Sequence, residues 1–303
     1  MTRHAPVRRA LDLRAAALVL GLCLIWGAQQ VVMKAVAVDV AAVMQLAIRF
    51  AGASIFFGVW TFASEGRGAL ADGTLRSGLL LGLMFSLEFL LLAQAVNHTS
   101  AAHAIVFLYS APIFTALGLQ FLPEERLRPA QWSGIAVAFI GIVVAFLDDG
   151  GRPLAELMRG DLLALLAGMA WGLSNVVLRR GRVGTSSTAK TVFYQVSIAA
   201  LLLSAFAFAT QQMTVVPSLR ALLALAYHTL GISIATYLVW FWLLRHYLTS
   251  RLMLLSLLTP LFGVVFGAAF LGEAVHVRFG VGAALVIGGI LAVNARQLLQ
   301  RGR

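Results

Sequence analysis

Two charged side chains, Arg49 and Glu88, stand inside long apolar stretches of this chain. A charge within a bilayer is costly unless it is paired or hydrated, so such residues mark ion pairs, substrate sites or proton paths. Counted from the nearer ends of their stretches, the two residues lie at similar depth. One interpretation is a buried charge pair that stabilises the fold. The other is that Glu88 or Arg49 contacts a substrate or a coupling proton.

Aromatic and amide residues recur in two places about 145 positions apart. The runs Trp26–Gln30 and Trp171–Asn175 both begin with Trp-Gly and both end with an amide. Amide side chains in hydrocarbon need partners, so they face another helix or a wet cavity. A large aromatic residue beside glycine near the midplane favours a cavity wall over plain packing. The predicted wall residues are Trp26, Gln30, Trp171 and Asn175.

Two further candidates, His103 and Phe107, lie one helical turn apart in the fourth apolar stretch. His103 is close in depth to Glu88, which makes it a substrate-binding candidate. The alternative is an ordinary interhelical contact, which is the commoner role of a membrane histidine. Phe107 is predicted to form an aromatic wall.

An internal duplication connects the two halves of the chain. Four geometrically special residues recur 148 positions later: Pro112, Glu125, Gly134 and Gly141 as Pro260, Glu273, Gly282 and Gly289. Duplication in an apolar chain predicts a transporter with its site between the halves, near the midplane. Proline removes a helical hydrogen bond, so both prolines are predicted hinges, with a packing kink as the alternative. Both glutamates are predicted to cap or tie the following helix.

Composition excludes a soluble protein of ordinary type. Sixty per cent of residues are apolar and 12% are charged, about half the charge of a soluble domain. The net charge of +11 does not indicate nucleic-acid binding, because the basic residues lie between apolar stretches. The single Cys23 excludes an intramolecular disulfide. No phosphate-binding loop, hydrolase motif or metal-binding cluster is visible, so no cofactor, no metal and no enzymatic activity are expected.

Ten apolar stretches are long enough to be membrane spans. Of the 23 Lys and Arg residues, 17 lie in the termini and even-numbered connections and five in the odd-numbered connections. This bias predicts that both termini are cytoplasmic. Five spans per half is odd, so the second half is inverted. The spans lie near 15–37, 41–63, 75–95, 100–121, 131–147, 161–178, 190–210, 221–244, 251–271 and 278–295.

The chain resembles the drug/metabolite transporter superfamily, as two EamA-type repeats. The resemblance is carried by Trp26-Gly27, by Pro112 followed by Glu125 and Gln131-Trp132-Ser133-Gly134, and by the second copy from Pro260 to Gly282. Ser86-Leu87-Glu88 followed by His103-Ala104-Ile105 is similar to the bacterial aromatic amino-acid exporters. That resemblance implies export of aromatic and other neutral amino acids, or of amphipathic cations, across the inner membrane.

The sequence therefore predicts an all-α membrane protein with ten transmembrane helices in two inverted five-helix repeats, residues 1–149 and 150–303. Its predicted function is export of small metabolites by alternating access from the bacterial inner membrane. The alternatives are a proton-coupled multidrug or cation exporter and, from another class, a membrane-embedded enzyme or scaffold. The predicted partners are a small-molecule substrate and the lipid bilayer, with no nucleic acid. A monomer is expected, although the sequence leaves the oligomeric state open.

Overall fold

The computed structural model describes residues 9, 11–99, 101–146, 154–272 and 275–301, and over these ranges the chain is helical. The side chains of 30, 96, 101–103, 154–157, 271 and 294–301 lie outside this description. The α-helices are α1 (Leu13–Ala35), α2 (Ala42–Glu65), α3 (Leu75–His98), α4 (Ala101–Leu108), α5 (Ala111–Leu119), α6 (Pro129–Phe146), α7 (Leu154–Arg180), α8 (Thr188–Ala209), α9 (Leu219–Ala226), α10 (Tyr237–His246), α11 (Thr249–Leu255), α12 (Leu258–Leu271) and α13 (Val277–Arg301).

Eight helical segments in the described ranges are long and apolar enough to cross a bilayer. Two shorter apolar segments, Ala104–Leu119 and Val277–Val293, accompany them. Helices satisfy every interior backbone hydrogen bond within one segment, which a lipid environment requires. The predicted all-α membrane class is therefore confirmed.

The fourth and ninth apolar stretches are interrupted, at the positions between α4 and α5 and between α11 and α12. Two serine hydroxyls compensate for the interruptions. Ser110 Oγ donates to the Phe107 carbonyl and Ser256 Oγ to the Met253 carbonyl, each at 2.6 Å. Both interruptions precede the predicted prolines.

Pro112 is the second residue of α5, and Pro260 is the third residue of α12. Nitrogens in the first turn of a helix have no intrahelical acceptor, so proline is tolerated there without losing a hydrogen bond. The prolines therefore begin a new helix at each break instead of bending a continuous one.

The duplicated glycines of α6 and α13 are each other's neighbours. A Cβ atom added at Gly141 would lie 2.7 Å from the Gly282 carbonyl oxygen, and one added at Gly134 would lie 2.9 Å from the Gly289 carbonyl oxygen. The contacts are reciprocal, because a Cβ added at Gly282 or Gly289 would likewise strike its partner's carbonyl oxygen. Small residues let helix backbones approach closely, which is how these two helices pack.

Gly27 and Gly172, which follow Trp26 and Trp171, also make matching contacts between the two halves. A Cβ atom at Gly27 would lie 2.8 Å from Phe262 Cβ in α12, and one at Gly172 would lie 2.6 Å from Phe114 Cβ in α5. Phe262 and Phe114 each stand two residues after a duplicated proline. The start of each half thus packs on the interrupted helix of the other half.

Polar contacts at one end of the bundle join the amino-terminal segment with the even-numbered connections. The Arg9 amide donates to the His246 carbonyl at 2.8 Å, and Tyr247 Oη donates to Asp12 at 2.9 Å. Lys190, whose side chain is fully buried, contacts Asp72 at 2.6 Å and also bonds the Ala69 carbonyl. This end is therefore tied across both halves.

Hydrogen bonding sets the ionisation of Asp72, in the connection between α2 and α3. Burial acts against its charged form, but hydrogen bonds from Lys190 and Thr74 outweigh burial and lower its pKa to about 2. Asp72 is therefore ionised at every physiological pH. It can act as a permanent partner for Lys190.

Glu125 holds the same end of the bundle together through a buried carboxylate. It accepts hydrogen bonds from Arg179 Nε at 3.3 Å, from the Thr249 amide at 3.1 Å, and from the Ser250 amide and hydroxyl at 3.3 and 3.0 Å. These partners lie in α7 and at the start of α11, and the predicted role of capping or tying the following helix stays a prediction. A carboxylate at a helix N-terminus satisfies amides that have no intrahelical acceptor. Glu273 lies outside the described residues.

The opposite end carries contacts among the odd-numbered connections. The Ala41 amide donates to the Thr214 carbonyl at 3.0 Å, and the Val216 amide donates to the Asp39 carbonyl at 2.7 Å. Arg220 pairs with the Asp39 carboxylate at 3.1 Å. These connections of the described chain therefore form two layers, with the helical segments running between them.

Candidate functional site

A cavity of about 170 Å³ lies between the two halves. Its walls come from α1, α2 and α3, the break after α4, α7, α8, the segment from 227 to 241 and the start of α12. The share of liquid volume of one water is about 30 Å³, so the space has room for several waters or a small metabolite. Aromatic side chains form much of its wall: Trp26, Phe85, Phe89, Tyr109, Trp171, Tyr237, Trp240 and Phe241.

The two repeated tryptophans occupy corresponding places in this wall. Trp26 meets Trp240 edge-to-face with ring centroids 5.4 Å apart, and Trp171 meets Tyr109 in the same way at 5.5 Å. The Trp26 indole also donates to Thr236 Oγ1 at 3.0 Å. Such edge contacts and hydrogen bonds fix ring orientation, so these walls are rigid apolar surfaces.

Amide and hydroxyl groups lie between the aromatic surfaces. Asn175 Nδ2 and Ser174 Oγ both donate to the Trp171 carbonyl, at 3.0 and 2.7 Å. Both side chains and that of Gln29 line the cavity. The hydrogen bond donated by Asn175 Nδ2 leaves the amide oxygen of this side chain available as an acceptor.

Arg49 and Glu88 both line the cavity and are 2% and 8% exposed. They do not form a direct ion pair, since no nitrogen–oxygen pair of these two described side chains lies within 4.0 Å. The Arg49 guanidinium lies instead over the rings of Phe50 and Phe89, at 4.5 and 5.6 Å. Its Nε and Nη1 atoms and Glu88 Oε2 have no hydrogen-bond partner in the described part of the chain.

A ten-residue π-helical stretch, Tyr227–Thr236, joins α9 to α10 beside the cavity. Such geometry is rare and is often found at functional sites. It brings Ile232 to the cavity wall and leads into Tyr237. Gln195, which stands near the Arg49-equivalent position of the second half, is also a wall residue. Aligning the two repeats would have identified Gln195 as a candidate wall residue. No sequence pattern indicates the π-helical stretch.

Phe107, a predicted wall residue, is not among the residues that line the cavity. Phe107 packs instead in a separate apolar cluster with Ala95, Ala104 and Ala164. Leu108 and Tyr109 are the wall residues from this segment, because adjacent helical residues point about 100° apart. The side chains of Gln30 and His103 lie outside the described residues. Within the described ranges, no group of three metal-ligating side chains is found.

The sequence profile of the EamA-like transporter family matches residues 13–147 and 158–295. The chain belongs to the EamA-like transporter family. Each match covers one half, so this EamA protein contains two copies of the repeat. Membership makes it a multi-pass membrane transporter and not an enzyme.

Named relatives align with this EamA chain over most of their length. An Escherichia coli protein called "Probable amino-acid metabolite efflux pump" is 28% identical over 292 residues, covering 90% of this chain and 92% of its own. "Uncharacterized transporter YoaV" of Bacillus subtilis is 23% identical over 278 residues, covering 90% and 94%. "Uncharacterized inner membrane transporter YedA" of E. coli is 25% identical over 255 residues, covering 83% and 81%.

A solved crystal structure has the same fold. It superposes with a TM-score of 0.77 at 20% sequence identity and covers 93% of this EamA chain and 98% of its own. At that identity, the match supports the fold alone.

Proposed function

We propose that this chain exports small metabolites, in particular aromatic and other neutral amino acids, across the bacterial inner membrane by alternating access. The observation that carries the proposal is a small cavity, lined by residues of both halves, that combines aromatic walls with an acidic and a basic side chain. Aromatic walls suit an apolar side chain, and charges suit polar groups. The E. coli relative named as an amino-acid metabolite efflux pump agrees with this substrate class.

The proposed architecture is ten spans in two inverted repeats, residues 1–149 and 150–303. The reciprocal glycine contacts of α6 with α13 support it, since a two-fold relation in the membrane plane produces such exchange. The two layers of connections support alternating span directions. Pro112 and Pro260 are the proposed hinges, because a helix break precedes each of them. The two segments of each broken helix can tilt separately there.

The proposed orientation places both termini in the cytoplasm, from the Lys and Arg bias. Single cysteines placed near residues 5 and 300 should resist an impermeant thiol reagent in intact cells, and one near residue 150 should react. The native Cys23 is buried and serves as the unlabelled background. Reaction at either terminus would contradict the proposed orientation.

The proposed substrate contacts are Trp26, Trp171, Asn175, Arg49 and Glu88, together with Gln30 and His103. Purified protein in liposomes should exchange labelled amino acids by saturable counterflow, with phenylalanine as the first probe. Protein-free liposomes give the background rate. Absence of counterflow across a panel of aromatic and aliphatic amino acids would refute this substrate class.

A cation exporter is the second candidate, and the unpartnered oxygen of Glu88 is the observation that favours it. An amphipathic cation would bind the aromatic wall and this carboxylate. Counterflow of a labelled quaternary ammonium compound, without counterflow of any amino acid, would select this candidate.

A further inference from the structure

We propose that Arg49 and Glu88 restrict this cavity to zwitterions, with Arg49 binding the substrate carboxylate and Glu88 its ammonium group. The proposal rests on the function proposed above, because it assigns the two charged ends of the substrate within the same cavity. It makes these two side chains the residues that determine specificity. It also predicts that singly charged analogues are poor substrates.

The first support is that an acidic and a basic side chain share one cavity without a direct ion pair. Both side chains are buried, both line the wall, and each keeps at least one charged or donor atom without a partner in the described chain. Two opposite charges placed only to stabilise the fold would be expected to pair directly, since pairing relieves the cost of burial. A ligand that carries both charges could contact both side chains from within the cavity.

The second support is the orientation of the Arg49 guanidinium. Its Cζ atom lies 4.5 Å from the Phe50 ring centroid and 5.6 Å from that of Phe89, so the two rings hold the cation by cation–π contact. The donors at Nε and Nη1 remain without partners. A planar fork of N–H groups matches a carboxylate with two parallel hydrogen bonds, which a lysine cannot reproduce.

The third support is exclusion by charge. A substrate with only a positive charge gains from Glu88 but is repelled by Arg49, and a substrate with only a negative charge meets the reverse. These forces are strong because the wall is largely apolar and weakly screening. A zwitterion satisfies both residues at once.

The charged end of the cavity is specific to the first half of the chain. Gln195 and Thr236 stand near the positions that correspond to Arg49 and Glu88. Neither can carry a charge, so the second half supplies neutral hydrogen-bonding groups. The carboxylate and ammonium groups of the substrate are therefore directed towards α2 and α3. Its side chain is directed towards the aromatic wall formed by Trp26, Trp171 and Trp240.

The test compares three ligands of one size in counterflow: phenylalanine, phenylalaninamide without the carboxylate, and 3-phenylpropanoate without the amine. The unsubstituted protein should exchange phenylalanine at least about tenfold faster than either analogue, the value of one lost charged hydrogen bond. Equal exchange of phenylalanine and either analogue would overturn the zwitterion proposal and leave amino-acid transport standing. No exchange of phenylalanine or other amino acids would instead refute the proposed function.

Variants then assign the two ends. Arg49→Gln should lose the preference for phenylalanine over the amide, and Glu88→Gln the preference over 3-phenylpropanoate. Arg49→Lys keeps the charge without the planar fork and should recover only part of the preference. Arg220→Gln removes an exposed arginine outside the cavity and should leave all three rates unchanged.

The ligand comparison in the unsubstituted protein decides the proposal even where a variant fails to fold. Size-exclusion profiles identify such variants. A folded Arg49→Gln protein that still discriminates against the amide would exclude Arg49 from carboxylate recognition. A folded Glu88→Gln protein that still discriminates against 3-phenylpropanoate would likewise exclude Glu88 from ammonium recognition.

Discussion

Replacing Glu125 with glutamine should destabilise the protein although the side chain keeps its size and shape. The Glu125 side chain is 0% exposed and accepts from donors on both of its oxygens. Oε1 faces Arg179 Nε and the Thr249 amide, and Oε2 faces the amide and the hydroxyl of Ser250. Glutamine has one oxygen and one NH₂ group. In either orientation of the amide, its NH₂ group would therefore face donors that now bond to a carboxylate oxygen.

The cost can be worked from these contacts. The better orientation keeps the oxygen on Arg179 and Thr249 and turns the NH₂ group towards Ser250. The Ser250 hydroxyl can rotate to accept, but the Ser250 amide loses its acceptor and Arg179 loses a buried negative partner. Breaking a buried charged contact costs about 3 kcal/mol or more. For a chain of 303 residues, that loss corresponds to a decrease in Tm of about 5 °C.

Glu124→Gln is the matched control. Glu124 contacts the same arginine at 2.6 Å, but its side chain is 47% exposed. A pair screened by solvent contributes less than about 1 kcal/mol, so this variant should melt close to the unsubstituted protein. Thermal unfolding of both variants in the same detergent is the assay. Melting of the two variants within about 2 °C of each other would refute the reasoning from burial and donor number.

Three further substitutions test the aromatic wall of the cavity, the packing of α6 on α13, and the ion pair of Asp72 with Lys190. Trp171→Ala should reduce counterflow at least about tenfold by removing a wall aromatic, whereas Phe208→Ala, at a 66% exposed position, should not. Gly282→Val should lower Tm, because a Cβ atom at this position would collide with α6. Gly288→Val is the control, since a Cβ atom there has no neighbour within 4 Å. Equal Tm values for the two variants would contradict the packing argument. The pKa of Asp72 is lower in the folded protein than in the unfolded chain, so its contribution to the free energy of unfolding is present at neutral pH and is lost as the pH falls from 3.8 to about 2. Asp72→Asn should therefore lower Tm at pH 7, and this difference in Tm should disappear near pH 2.

Much of the site could be predicted from the sequence because the signal was local. Trp26, Trp171 and Asn175 stand at matching points of a duplicated pattern, and all three lie at the cavity wall. Arg49 and Glu88 were noticeable because a charge in an apolar stretch is rare, and both also line the cavity. The helical class followed from the length and composition of the stretches.

Other features depend on tertiary contacts that no local pattern carries. Glu125 bonds residues 124 and 125 positions away, so its partners could not be read from the helix that follows it. The choice of Tyr109, at the break after α4, over Phe107 as a wall residue depends on how α4 packs against its neighbours. The π-helical stretch similarly has no composition of its own.

The contact of α6 with α13 has the form of an isologous interface, in which both partners use the same patch. In a homodimer of five-helix chains, every residue would occur at two symmetric places. Here the two copies are encoded separately, so each can change alone. Arg49 and Glu88 are examples, since Gln195 and Thr236 stand near their counterparts. Fusion of the halves therefore permits a cavity with different chemistry on its two sides, which a symmetric dimer cannot build.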